Sequence, residues 1–181
     1  NIAHILESLK PWFEFHPDII LDGELYNHDL RDDFEKIISL VRKQKPTESD
    51  RLEAKKLVQF HCYDYIETIL NASYEDRMNN LVTTDMYSYC VRYVETHRVH
   101  KPEEAFNLHH DGFLAEKYEG SILRLNKPYQ CKRSYNLQKF KDFSDAEAFI
   151  VGYEEGKGKR TGTLGKFLMQ DDDGNKFGCP P

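Results

Sequence analysis

Two lysines, Lys139 and Lys141, stand two apart at the end of the strand-like run Leu137-Gln-Lys-Phe-Lys141, and that spacing constrains the chain more than any other feature. On an extended strand such residues project from one face, so the ammonium groups lie side by side while Phe140 points the other way, into a core. Like charges so placed repel unless an anion lies between them or the face is open to water. A surface strand washed by solvent meets that condition, and so does an anionic ligand. Just upstream, Glu119-Gly120 reads as a turn and Ile122, Leu123 and Leu125 as a short strand, joined to the lysine strand by a basic loop containing Pro128.

The 181 residues, 39% hydrophobic and 13% aromatic, can bury a sizeable core, and their number suits one domain or one and a half. No apolar run is long enough for a membrane span and no basic-then-apolar leader opens the chain, so neither a span nor a signal peptide is expected. The first residue, Asn1 rather than Met, suggests that the sequence does not begin at a natural terminus. Cys62, Cys90, Cys131 and Cys179 are scattered, as reduced thiols would be, and lack the spacing of a zinc site. His97, His100, His109 and His110 come nearest to a metal cluster, but without a matching carboxylate or cysteine pattern they read as surface or helix-face histidines. Net charge is −6, which by itself argues against nucleic acid; its distribution does not. Residues 1–121 hold 14 Lys and Arg against 23 Asp and Glu, residues 122–166 hold 10 against 5, and residues 167–181 hold 1 against 3. An acidic body followed by a basic stretch can offer one phosphate-attracting side.

Ile2, Ile5, Leu6 and Leu9 predict a short helix that Pro11 ends. Pro17–Leu21 reads as a buried strand leading into Asp22-Gly-Glu24-Leu, where Asp22 and Glu24 share a face if the strand continues, although Asp-Gly is also a hairpin turn. Leu30, Phe34, Ile37, Ile38 and Val41 predict a helix from Asn27 or Asp29 to about Lys45, stopped by Pro46. Thr47–Lys56 is charged and expected to be exposed, and Leu57–Ile66 reads as a strand with Tyr63 opposite Val58 and Phe60. Tyr63 suits a core as well as a platform for a base. Ser73 caps a predicted helix, Tyr87–Val99 has strand composition, and Pro102 opens a further helix. These alternations predict an α+β fold with sheets packed under helices. After Phe143, three short strands separated by Gly156-Lys-Gly-Lys-Arg-Thr-Gly162 and Asp172-Asp-Gly-Asn175 suggest the start of a small barrel, with Lys157, Lys159 and Arg160 in a glycine-rich loop that fits either a nucleic-acid contact or plain solvent exposure.

In order, Asp22-Gly-Glu24-Leu, Tyr63-Asp64, Glu119-Gly-Ser-Ile, Lys139-Phe-Lys141 and Gly156-Lys-Gly-Lys-Arg-Thr-Gly-Thr-Leu-Gly165 resemble the ATP-dependent DNA ligases, especially the small phage and viral type. Each motif is short; four in sequence followed by the glycine-rich loop are specific, and they cover nearly the whole chain. The resemblance implies a nucleotidyltransferase, ATP-grasp-like adenylation domain over residues 1–143, with antiparallel sheets and flanking helices, and the opening of an OB-fold β-barrel over residues 144–181. It implies an enzyme of DNA repair, replication and recombination that moves AMP from ATP to a lysine, then to the 5′-phosphate of a nick, and seals the strand as the 3′-hydroxyl displaces AMP. Glu24 would serve the ribose and metal side, Glu119 would bind Mg²⁺, and Tyr63 would stack on adenine where the family more often has Phe. Lys139 and Lys141 would grip the α-phosphate, and Lys157, Lys159 and Arg160 would touch nicked duplex DNA. The resemblance is to a monomer with no membrane association.

The family's nucleophile lies in a Lys-x-Asp-Gly motif upstream of the Asp-Gly-Glu-Leu strand, and none of the 21 residues before Asp22 supplies it. Lys117 precedes Glu119-Gly120, but the spacing to Lys139 assigns that glutamate to the metal-binding motif and leaves Lys117 a helix-end lysine. The chain is therefore expected to be an internal piece of a ligase that cannot adenylate itself. RNA ligases and mRNA-capping enzymes carry similar motifs; the Glu-Gly-x-Ile-Leu-Arg form and the Gly-Lys-Arg-x-Gly loop favour a DNA ligase over both, and a noncatalytic nucleic-acid-binding module is the remaining alternative.

Overall fold

The computed structural model describes residues 1–67, 71–143 and 145–181. The chain forms two compact units, Asn1–Lys141 and Asp142–Pro181. Ser144, where the second domain is expected to open, lies outside the described residues.

In the first unit, helices α1 (Ala3–Phe15), α2 (Phe34–Arg42), α3 (Glu48–Leu57) and α4 (Tyr74–Thr83) surround a sheet in which β1 (Ile19–Tyr26) pairs antiparallel with β2 (Gln59–Glu67) and β2 pairs parallel with β3 (Val91–Tyr93). Ile5, Leu9, Ile37, Leu40, Ala54, Val58, Cys62, Met78, Leu81 and Val91 form the core. A short α5 (Pro102–Asn107) passes into a π-helical turn, Leu108–Leu114, and then into a two-stranded antiparallel sheet of β4 (Ser121–Arg124) and β5 (Leu137–Phe140). The second unit is an antiparallel meander of β6 (Phe149–Glu155), β7 (Leu164–Gln170) and β8 (Lys176–Cys179), with a 3₁₀ turn at Gly158–Arg160. No helix among the described residues is long and apolar enough to cross a membrane.

The α+β class and the helix caps at Ser73 and Pro102 match expectation, and five local readings change. Pro11 lies inside α1, not at its end. Its missing N–H and its ring cost a helix about 3 kcal/mol, but the last turn is held because Trp12 stacks on His16 at 4.6 Å and meets Tyr65 edge-on at 6.1 Å. The single helix expected from Asn27 to Lys45 is two pieces: the Asn27 side chain accepts the Asp29 N–H and donates to the Leu57 carbonyl, closing a 3₁₀ turn at His28–Leu30 before α2 begins. The charged segment after Thr47 is helical, because Thr47 and Asp50 cap each other's backbone reciprocally while Ala54 faces the core. Only Val91–Tyr93 of the expected Tyr87–Val99 strand pairs, since Ser88 N–H turns back to the Val91 carbonyl and Tyr87 and Tyr89 face solvent. Ile20 and Phe140, both expected in a core, are 52% and 40% exposed.

Candidate active site

Asp22-Gly-Glu24 continues β1 as strand and does not form a hairpin turn. Gly23 is required there: a Cβ would lie 2.5 Å from the His61 carbonyl oxygen and 2.6 Å from the Phe60 ring, a close approach that only glycine permits. Asp22 pairs with Asp64 and Gly23 with Cys62, so Tyr63 is the extra residue of a β-bulge, a device that re-aims a side chain. Burial, reinforced by the Asp22 carboxylate beside it, pushes the Tyr63 phenol up to about 12.

Around Tyr63 the structure builds a network that extends beyond the residues the sequence motifs name. The Arg124 guanidinium lies 5.1 Å from the centroids of both Tyr63 and Tyr74, and that of Arg77 lies 5.5 Å from Tyr74 and 5.7 Å from Tyr129. The contacts run in the alternating order Tyr63, Arg124, Tyr74, Arg77, Tyr129. Asp64, fully buried, joins the two cations. It accepts from Arg77 Nε at 2.7 Å and Nη2 at 3.1 Å, and from Arg124 Nη1 at 2.6 Å. At the far end the Tyr129 hydroxyl donates to Asp22 Oδ2 at 2.7 Å; burial, then this bond, push that phenol up to about 12 as well. A cleft of about 510 Å³ opens here, lined among others by Asp22, Tyr74, Arg124, Tyr129 and Arg133.

A second cluster sits on β4 and β5. Ile122 faces Lys139 across the pair and Ser121 faces Phe140. Glu119, on the turn before β4, takes a hydrogen bond from Lys141 Nζ, and Lys139 Nζ lies 3.7 Å from the same carboxylate oxygen. The hydrogen bond from Lys141, then the charge of Lys139, hold the Glu119 carboxyl below its usual range. Both conditions that tolerate paired ammonium groups are thus met: a carboxylate lies beside them, and their side chains are 59% and 42% exposed. The turn carrying Glu119 is held from the 3₁₀ turn that follows β1. His28 stacks on Tyr118 at 4.3 Å, bonds the Glu116 carbonyl through Nε2 and meets the Tyr26 hydroxyl through Nδ1.

The structure therefore brings Glu119, Lys139 and Lys141 together, and separately sets Tyr63 beside Asp22 with Glu24 close enough to act on its phenol. Among the described residues no hydrogen bond or ion pair joins Glu24 or Tyr63 to the lysine cluster. Lys117 adopts a left-handed backbone, φ 65°, in the turn that follows the π-helical segment. Lys159 and Arg160 lie exposed in the second unit's 3₁₀ turn, and Lys157, also exposed, precedes it. Sequence reasoning missed Asp64, Arg77, Arg124 and Tyr129. One signal for Asp64 was available, a carboxylate inside an apolar strand that demands a cationic partner; the identity of that partner was not.

The fold sets an Asp-Gly-Glu strand in a helix-flanked sheet and ends one strand of a second, two-stranded sheet on the paired lysines. The chain is 30% identical over 173 residues to the DNA ligases of African swine fever virus from a South African tick isolate and a Namibian warthog isolate, covering 91% of this chain and 39% of each ligase. A solved structure from a structure–function study of the Lig E DNA ligases, which bind DNA with a minimal scaffold, matches with a TM-score of 0.70 and 28% identity over 88% of this chain and 60% of that one. A second, Pmar-Lig, shares the fold with a TM-score of 0.73 at 20% identity, over 98% of this chain and 44% of that one. No protein-family model matches the sequence. By sequence and fold together the chain is similar to the DNA ligases, and it spans about two-fifths of the length of the viral relatives it matches.

Proposed function

We propose that this chain contributes the adenylate-binding body and the opening strands of the DNA-binding barrel, at residues 1–143 and 144–181, of an ATP-dependent ligase that seals 5′-phosphate/3′-hydroxyl nicks in duplex DNA. The observation that carries the reading is the lysine pair at the end of β5, Lys139 on the strand and Lys141 just past it, with Glu119 beside them: two exposed ammonium groups held at one point, as an anionic phosphorus centre requires. Catalysis at such a centre is largely positioning and charge stabilisation. Lys139 and Lys141 grip the α-phosphate of ATP, each charged hydrogen bond contributing about 1.5–3 kcal/mol. Tyr63 stacks on adenine. Lys157, Lys159 and Arg160 contact the phosphates of nicked duplex DNA.

The donor set suits Mg²⁺, a hard cation that takes carboxylate oxygens: Glu119 is exposed, and Glu24 makes no side-chain hydrogen bond among the described residues. Glu119 and Glu24 are the residues that would hold Mg²⁺, which would supply neutralisation of phosphate charge.

Binding of AMP to the 181-residue chain, followed by calorimetry, tests the reading. Lys139→Ala should weaken it by about tenfold or more with unchanged thermal stability, as loss of one charged phosphate contact implies. AMP affinity indifferent to Lys139, or preference for a nicked RNA duplex over nicked DNA, would overturn it. Incubation with labelled ATP and Mg²⁺ should leave no covalent AMP on Lys117.

A further inference from the structure

Asp64 reaches neither solvent nor the cleft, yet it joins every cation of the tyrosine–guanidinium network. We propose that Asp64 is a positioning residue for Tyr63: by holding Arg124 it fixes the guanidinium against one face of the Tyr63 ring, leaving the other face as a set plate for a purine base. The inference rests on the reading of Tyr63 as the base platform and extends it to a residue that does not touch the nucleotide.

Three observations support it. Arg124 makes one hydrogen bond through its side chain among the described residues, to Asp64 at 2.6 Å, so Asp64 is its anchor. Arg77 is tied twice to Asp64 and twice more to the carbonyls of Ala72 and Lys127, and so keeps Asp64 itself in place. Tyr63, the extra residue of the bulge, has no cross-strand partner residue to fix it, and its ring is left to its contacts with Arg124 and Asp22. A guanidinium stacked on an aromatic face holds it by cation–π attraction and planar contact. Freed from its carboxylate, the Arg124 side chain regains its rotamers and the plate loses its backing.

The test uses the 181-residue chain with ¹³C-labelled tyrosine rings and, as ligands, AMP and ribose 5-phosphate. Asp64→Asn keeps the shape and removes the charge. The Tyr63 ring resonances should move in Asp64→Asn and in Arg124→Ala in the same direction, with no further movement in the double variant. AMP affinity should fall about tenfold, the size expected for a spoiled base–aromatic stack, while ribose 5-phosphate affinity holds. Tyr63 resonances unmoved in Asp64→Asn but displaced in Arg124→Ala would overturn the proposal, as would equal losses for both ligands. If Asp64→Asn does not fold, Arg124→Gln, which leaves both Arg77 bonds to Asp64, must produce the Tyr63 shift and the AMP-selective loss, and its failure to do so overturns the proposal. A wild-type chain that binds neither ligand defeats the nucleotide reading instead, and the ring resonances still decide whether Asp64 governs Tyr63.

Discussion

Gly120 faces the backbone of Phe140 so closely that a Cβ on it would lie 2.1 Å from the Phe140 carbonyl oxygen. No side-chain rotation relieves a clash with backbone, so Gly120→Ala must push β5 away from β4 just where Glu119 meets the lysines. The expected cost is roughly 2–4 kcal/mol, in the range of strained or overpacked positions. Urea denaturation of the chain measures it. AMP affinity should fall with it, because the Glu119–Lys141 contact spans the displaced strands.

Glu119→Gln probes the same place through charge alone. The three groups are exposed, and surface ion pairs contribute about 0–1 kcal/mol, so thermal stability should shift little. Loss of the carboxylate removes the group that accepts a hydrogen bond from Lys141 and should change the chemical shift of its ¹⁵N-labelled ammonium. An unshifted Lys141 would mean that the ion pair does not persist in solution.

The buried trio gives the opposite pattern. Asp64→Ala strands two guanidinium groups whose side chains are 5% and 11% exposed, and breaking a buried pair from one side costs about 3–5 kcal/mol. Arg77→Met should cost a similar amount, because Asp64 keeps one guanidinium bond, from Arg124, where it had three. A double-mutant cycle on chemical denaturation should return a coupling energy of about 1–3 kcal/mol between positions 64 and 77. Additive losses would show that the two side chains do not interact.

What the sequence disclosed and what it hid divide along one physical line, local against distant. Helix starts carried by a side chain three residues from its partner, as at Ser73, or by proline at the first turn, as at Pro102, were legible because the whole interaction lies inside one short window. The Thr47–Asp50 box was equally local, and the density of charge after it obscured it. Pro11 misled because the contacts that rescue its helix, Trp12 on His16 and Tyr65, bring in a strand some fifty residues away. The lysine pair was legible from strand period alone, and Glu119 from its motif. The tyrosine–guanidinium network was not, because its members lie at positions 22, 63, 64, 74, 77, 124 and 129, and nothing in a linear text pairs Asp64 with Arg124 sixty residues on. The bulge at Tyr63 was hidden for the same reason, since a register shift is a property of two strands.

His61 carries the last prediction. It lies on β2 across from Glu24, with its Nε2 against Gln59 Oε1 at 3.0 Å and its ring edge-on to Tyr26. Burial, with the nearby charges of Arg92 and His28, pushes its pKa down to about 4 from an ordinary 6.5. The folded state therefore resists protonation that the unfolded chain accepts, so between about 6.5 and 4 the unfolded chain binds more protons and stability falls as pH falls. The full contribution is present above 6.5 and is lost by about pH 4, a difference on the order of 2–3 kcal/mol. His61→Gln, which cannot titrate, should flatten that part of the profile while costing little at pH 7.5. Urea midpoints at pH 7.5, 6 and 4.5 for the two proteins make the comparison, and parallel pH profiles would place the titrating group elsewhere.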